Sequence, residues 1–180
     1  DNFVNGSAKT WESSGMRILM YCDEDIGVAA GGSRQVLELA KALALRGHEI
    51  TIVAPQPERG MGARTVSDQL HMQFVSVMRR GALRPLSFLW GSMRMMAKLL
   101  QGRPPDVLLW FDSPGQMAPL WAMRNSTCPV VYFVNGLPVE EVRGVWRLPL
   151  LRGLLSYGLR LASRKATVLV SVCPEVLSGL

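Results

Sequence analysis

Two adjacent glycines, Gly31 and Gly32, stand where an apolar run and a short polar loop give way to a long helical pattern. Lacking side chains, they bring bare backbone to a helix start. The first N–H groups there have no partner within the helix, and the helix dipole favours negative charge. The guest such a backbone suits is a phosphate. The same pair could serve only to make a tight turn, and two glycines by themselves do not choose between these roles.

Other nucleotide motifs fit less well. Gly27 and Gly31 are four positions apart, so no G-x-G-x-x-G is present, and Ala54-Pro55-Gln56 offers no carboxylate for a ribose hydroxyl. No Gly-Lys-Ser or Gly-Lys-Thr occurs, which removes a Walker loop. Cys22, Cys128 and Cys173 are odd in number and form no CxxC pair. They argue against a disulfide framework and a zinc site, and point to a reducing, cytosolic compartment. Cys22 and Cys173 read as buried apolar residues rather than nucleophiles. Glu140 and Glu141 would face different directions on a helix and make a poor acid/base pair.

Stepping from strand to helix, the elements that must hold the glycines are legible. Arg17 to Cys22 is an apolar, β-tolerant run. Val36, Leu39, Ala40 and Leu43 repeat at helical spacing, and Gly47 falls where a left-handed C-cap belongs. Glu49 to Pro55 is a second strand, so the stretch is a βαβ unit whose helix packs on a parallel sheet. Glu58 to Asp68 reads as a loop. Further strands are expected at His71–Val77, Asp106–Phe111, Pro129–Val134 and Ala166–Ser171. Helices are expected from Leu83 to Leu100, from Gln116 to Met123, and from Gly144 to Arg164 with a break near Pro149; another starts at Cys173-Pro174. On the Leu83–Leu100 helix the apolar face is read as Leu86, Leu89, Trp90, Met93, Met96, Ala97 and Leu100, with Phe88 and Met95 off its centre. Residues 1–15 show no period and are taken as an extension without function. The fold class is α/β, a Rossmann-like, open and mostly parallel sheet flanked by helices.

The first strand, the Gly31-Gly32 loop, the run Leu39-Ala40-x-x-Leu43-x-x-Arg46-Gly47-His48-Glu49-Ile50, the ending Ala54-Pro55 and the later Pro105-Asp106-Val107-Leu108 together resemble the N-terminal domain of a GT-B-fold glycosyltransferase, nearest the large retaining family four. The resemblance implies that residues 16–180 are the acceptor-side domain and that a C-terminal donor domain, carrying the family's pair of glutamates, is a further partner. It implies transfer of a sugar from a nucleotide-diphosphate sugar to a hydroxyl, without a cofactor or obligatory metal. Gly31 and Gly32 would then touch the donor diphosphate, with Ser33 and Arg34 at its edge. Asp112, Asn135 and Gly136 would line the acceptor side of the cleft. Asn135 stands where the family usually has a histidine; an amide can exchange hydrogen bonds but cannot titrate near neutral pH. The catalytic residues are therefore unassigned, and this segment alone is expected to be inactive.

Charge adds one more expectation. The net charge is +6, and twelve of the twenty basic residues fall in two acid-free stretches, 79–103 and 143–165. Arg84, Trp90, Arg94, Lys98, Trp146, Arg147 and Arg152 could meet an anionic membrane surface. The alternative is an ordinary crossover helix with leucines on the sheet and arginines in water. Nucleic acid is a poorer partner, because stacking aromatics are few, at 7% of the chain. The resemblance favours the membrane, since such enzymes often use lipid-linked acceptors. The expected location is cytoplasmic, peripheral at an inner membrane face. Two competing readings are a non-enzymatic membrane-surface or ligand-binding module of the same fold, and a small nucleotide- or flavin-binding protein complete in itself.

Overall fold

A strand buried on both faces needs apolar residues at every position, and Arg17-Ile-Leu-Met-Tyr supplies them after the first. The computed structural model describes residues 15–28, 31–57, 65–78, 84–111, 117–134, 157–158 and 160–171. Within them the strands are β1 (Arg17–Tyr21), β2 (Glu49–Pro55), β3 (Thr65–Ser67), β4 (Leu70–Val75), β5 (Val107–Phe111), β6 (Val130–Val134) and β7 (Val168–Ser171), and the helices are α1 (Gly31–Leu45), α2 (Arg84–Gln101) and α3 (Ala118–Ala122). Residues 160–165 are also helical. The strands form one sheet in the order β3-β4-β2-β1-β5-β6-β7. Six run parallel; β3 pairs antiparallel with β4 at the edge. The expected loop between Glu58 and Asp68 thus contributes a three-residue strand, too short for its alternation to show in sequence.

Alternate residues of each strand feed two cores. On one face Val36, Ala40 and Ala44 of α1 pack with Ile18, Met20, Ile50, Ile52 and Phe111. On the other, Phe88 and Met96 of α2, Met123 beside α3, and Ala162 pack with Leu19, Tyr21, Leu108, Trp110 and Tyr132. The sheet-facing line of α1 is Ser33, Val36, Ala40 and Ala44, all small or medium, so the helix rides close to the strands with Leu39 and Leu43 at its flanks. The helix ends as its sequence demands. Gly47 has φ +88°, and its N–H donates to Ala44 O (2.9 Å) while that of His48 donates to Leu43 O (3.2 Å). This pair of bonds is the Schellman closure.

α2 is rotated from its expected setting. Leu86 and Trp90 are each 59% exposed, whereas Phe88, Ser92 and Met96 are buried. The cause is the pair Gly91-Ser92. A methyl group on Gly91 would overlap Val75 Cγ1, so bare backbone lies against β4. The Ser92 hydroxyl reaches the Tyr21 hydroxyl at 3.3 Å. A hydrophobicity pattern gives weight to Trp90 and Leu86 and none to glycine or serine, so it turned the helix the wrong way.

At the amino ends of the strands, Arg17 N–H donates to Asp106 Oδ2 (2.7 Å) and Asp106 N–H to Arg17 O (2.8 Å). The Arg17 guanidinium donates to the carbonyls of Arg103 and Pro104 and pairs with Glu49 at 3.4 Å. The Pro105-Asp106 motif is therefore a clasp between β1 and the entry to β5, at the end of the sheet away from the loops that follow the strands.

Candidate functional site

Without the antiparallel edge, the strands read third, second, first, fourth, fifth, sixth in chain order. Sequence order reverses between β1 and β5, and in open α/β sheets the ligand crevice opens at that switch point, beyond the carboxyl ends of the strands. β1 delivers Tyr21, Cys22, Asp23 and Glu24 to this edge. β5 delivers Phe111, and α1 opens with Gly31 as its first residue.

Each of these groups has a definite condition. Tyr21 is fully buried, and loss of water pushes its phenol above the usual range despite the Ser92 hydrogen bond. Burial likewise pushes the Cys22 thiol up to about 12. It is a protonated, inert thiol at neutral pH, in keeping with its reading as a small apolar residue. The Cys128 thiol is also raised, by partial burial. The loop after β1 is pinned at several points. Cys22 N–H donates to Val53 O (3.1 Å), Gly27 N–H to Asp25 Oδ1 (2.8 Å) and Val28 N–H to Asp25 O (3.1 Å). A methyl on Gly27 would stand 2.8 Å from Pro57 Cβ, so the loop also leans on the end of β2. The Ser33 hydroxyl, fully buried, donates to Val28 O at 2.6 Å and ties the loop to the helix.

Gly31 and Gly32 lie in the first turn of a 15-residue helix. Among the described residues only Gly47 has positive φ, so neither glycine is required by backbone conformation. A methyl on Gly31 would meet nothing within 4 Å. What glycine provides there is a bare, open approach to the helix amides. At Gly32 the added methyl would overlap Glu24 Oε1 and stand 2.6 Å from its Cδ. The Glu24 carboxylate thus lies against the second residue of α1, a position the sequence did not reveal because a side chain's direction has no pattern to read. Arg34 is exposed, and its charge contributes to lowering the carboxyl of Glu38, which is held down mainly by its hydrogen bond and ion pair with Lys41.

Gly32 and Ser33 meet the loop after β1, through Glu24 and Val28, and Gly31 and Arg34 are their neighbours in the first turn of α1. Asp112, Asn135 and Gly136 lie outside the described residues, as do Trp146, Arg147 and Arg152, Cys173, Glu140 and Glu141, and residues 1–14. On α2, Leu86, Trp90, Arg94 and Lys98 form one exposed line at four-residue spacing, with the Arg94 guanidinium 4.9 Å above the Trp90 ring; Arg84 is half-buried. No described helix is long and apolar enough to cross a membrane. Among the described residues no three His, Cys, Asp or Glu side chains gather as a metal site would need.

A family model described as a glycosyl transferase 4-like domain matches residues 30–180. The chain belongs to that family. No curated protein matches this chain. Among solved structures it resembles sucrose-phosphate synthase from Thermosynechococcus elongatus (TM-score 0.61, 10% identity, 87% of this chain and 47% of that one). It also resembles UDP-N-acetylglucosamine 2-epimerase from Neisseria meningitidis, solved bound to UDP-GlcNAc (0.55, 15%, 91% and 43%). A third is MurG of Acinetobacter baumannii (0.51, 17%, 88% and 42%). At such identities the likeness is one of fold, and the fold is the N-terminal Rossmann-like half of the GT-B architecture. The chain spans less than half the length of each of these three proteins.

Proposed function

We propose that this domain is the acceptor-side half of an enzyme that moves a sugar from a nucleotide-diphosphate sugar to a hydroxyl acceptor with retention, and that the donor's diphosphate rests on Gly31 and Gly32. The observation that carries the reading is the open backbone at Gly31, a glycine that neither φ nor packing demands, at the head of α1 and beside the switch point. Backbone N–H groups aimed at a leaving diphosphate would stabilise the charge that develops as the sugar departs. Ser33, whose hydroxyl is turned back onto Val28, would offer only its amide; Arg34 would add charge at the rim. Asp112, Asn135 and Gly136 would face the acceptor. The nucleotide and its sugar would be chosen by a second domain, and this chain alone would not turn over.

The test joins this chain to a donor domain in one polypeptide and assays sugar transfer from several nucleotide sugars, with the anomeric configuration of the product read by NMR. Transfer with retention, weakened by Gly31→Ala, is the expected result. Silence with every donor, from a folded two-domain protein, would sink the reading.

The exposed line Leu86, Trp90, Arg94 and Lys98 supports a second part of this reading, attachment to an anionic membrane surface that carries a lipid-linked acceptor. The same line would serve a non-enzymatic docking module. Sedimentation with anionic vesicles should carry the chain down in a salt-sensitive way; no binding at low salt would remove the membrane from the proposal.

A further inference from the structure

The outer layer on the α2 side of the sheet carries bases and no acids. α2, α3 and the helical residues 157–158 and 160–165 fall in the stretches 69–105, 113–139 and 142–174, which hold no Asp or Glu. On the opposite face, α1 sets Glu38 against Lys41. The three helices make one layer. α2, α3 and Ala162 share a core, a methyl on Gly158 would stand 2.5 Å from Met117 Sδ, and Lys165 Nζ donates to Ser126 O at 3.2 Å. The outer side of this layer repeats a motif. The Arg124 guanidinium lies 4.7 Å above the Trp121 ring, as that of Arg94 lies 4.9 Å above Trp90, and the two indoles are 41% and 59% exposed. On the third helix, exposed Tyr157, Arg160 and Arg164 follow the spacing of one helix face. Arg94, Arg124, Arg160 and Arg164 enter no ion pair among the described residues.

We propose that this whole layer is the surface by which the domain lies on an anionic lipid bilayer, with α3 and the helix before β7 docking beside α2. This rests on the reading that the domain meets an anionic membrane, and extends it from one line of residues to a face and an orientation. Anionic headgroups complement a layer of bases without acids, and each base near the surface adds to the attraction. Tryptophan and tyrosine, apolar bodies with a polar edge, suit the boundary between headgroups and acyl chains. Nucleic acid is served less well, because a guanidinium already covers one face of each indole on which a base would stack. With the layer flat on the bilayer, the sheet runs parallel to the membrane, about one helix diameter (about 10–12 Å) above it. The crevice beyond the carboxyl ends of β1 and β5 then opens sideways along the surface instead of away from it.

The experiment measures, by sedimentation at about 0.1 M salt, how the 180-residue chain partitions onto phosphatidylcholine vesicles containing about one third phosphatidylglycerol. Three double variants each remove two positive charges, and circular dichroism checks that each is folded. Arg94→Gln with Lys98→Gln alters α2, and Arg124→Gln with Arg164→Gln alters the other two helices. Lys41→Gln with Arg46→Gln, on α1 and just after it, is the control on the opposite face. Both layer pairs are expected to weaken partition about tenfold or more, while the control stays within about twofold, because charges more than about 10 Å away are screened at this salt. Loss in only one of the two layer pairs would overturn the three-helix layer, and loss in the α2 pair alone would leave attachment through α2 standing. An equal loss in all three variants would overturn the layer as a general charge effect. No vesicle binding by the parent even at low salt would overturn the membrane reading and this inference with it, and binding of a single-stranded DNA oligomer in that case would hand the layer to nucleic acid.

Discussion

Arg17 and Asp106 hold each other through both of their backbones: Arg17 N–H donates to the Asp106 carboxylate at 2.7 Å, and Asp106 N–H returns a bond to Arg17 O at 2.8 Å. A carboxylate accepting a backbone N–H is a charge-assisted bond, stronger than a neutral pair. Asp106→Ala should lower stability by about 1–2 kcal/mol, read as a lower denaturant midpoint with unchanged slope. Pyrophosphate affinity should not move, because the clasp lies at the amino ends of the strands. A loss of affinity at full folding would contradict this division of labour.

Gly47 carries the positive φ of the α1 terminus. Gly47→Ala has open space around the new methyl, so its cost is backbone strain alone, about 1–2 kcal/mol. A shift in melting temperature measures it, and an unchanged melting temperature would show that the turn relaxes without strain.

Gly31→Ala should behave in the opposite way. Its methyl meets nothing, and alanine is the better helix former, so stability should hold or rise by up to about 1 kcal/mol. Pyrophosphate binding should weaken about tenfold or more, because the methyl stands in the approach to the amides. A variant that is more stable and binds as well as the parent would return Gly31 to a purely structural role.

Cys22 gives a pH dependence with a definite sign. Its folded pKa, about 12, lies above the ordinary thiol value of 9.0 because burial penalises the thiolate. Below pH 9 folded and unfolded chains both hold the proton, and the full stability is present. Above it the unfolded chain loses the proton first, so stability falls as pH rises from 9 toward 12. Tyr21, raised by the same cause, adds to the loss at the alkaline end of that range. Denaturant midpoints should fall across this window, less steeply in Cys22→Ala. At pH 8 an alkylating reagent should modify Cys128 well before Cys22 in the folded chain, and equal rates would show that Cys22 is not held protonated by burial.

Replacing Ser92 tests the seating of α2. Ser92→Ala removes the buried Tyr21–Ser92 hydrogen bond and should cost about 1–2 kcal/mol. Tyr21→Phe in the same background should recover part of that loss, since no donor is then left facing the gap; no recovery would mean that the two hydroxyls are not coupled.

What could be read from residues alone was whatever repeats. Apolar runs marked five of the six parallel strands, alternation over His71–Val77 marked the other, and Gly47 marked a helix end down to the sign of φ. The rotation of α2 was hidden because Gly91 and Ser92, which set it, carry no hydrophobic weight. β3 was hidden because three residues hold too little alternation. Glu24 was legible only as one acid among Asp23, Glu24 and Asp25. Its contact with Gly32 follows from how the loop is pinned, through bonds that join residues far apart in sequence, such as Cys22 with Val53.

The clasp at Arg17 and Asp106 has a consequence for how such a domain can change over generations. It sits at the entry to β1 and β5, while the crevice opens beyond their other ends, about 16 Å away along five-residue strands. Substitutions at that distance with no shared partner act nearly independently. A lineage can rewrite the rim around Glu24 and Gly31 while the frame it inherits stays intact.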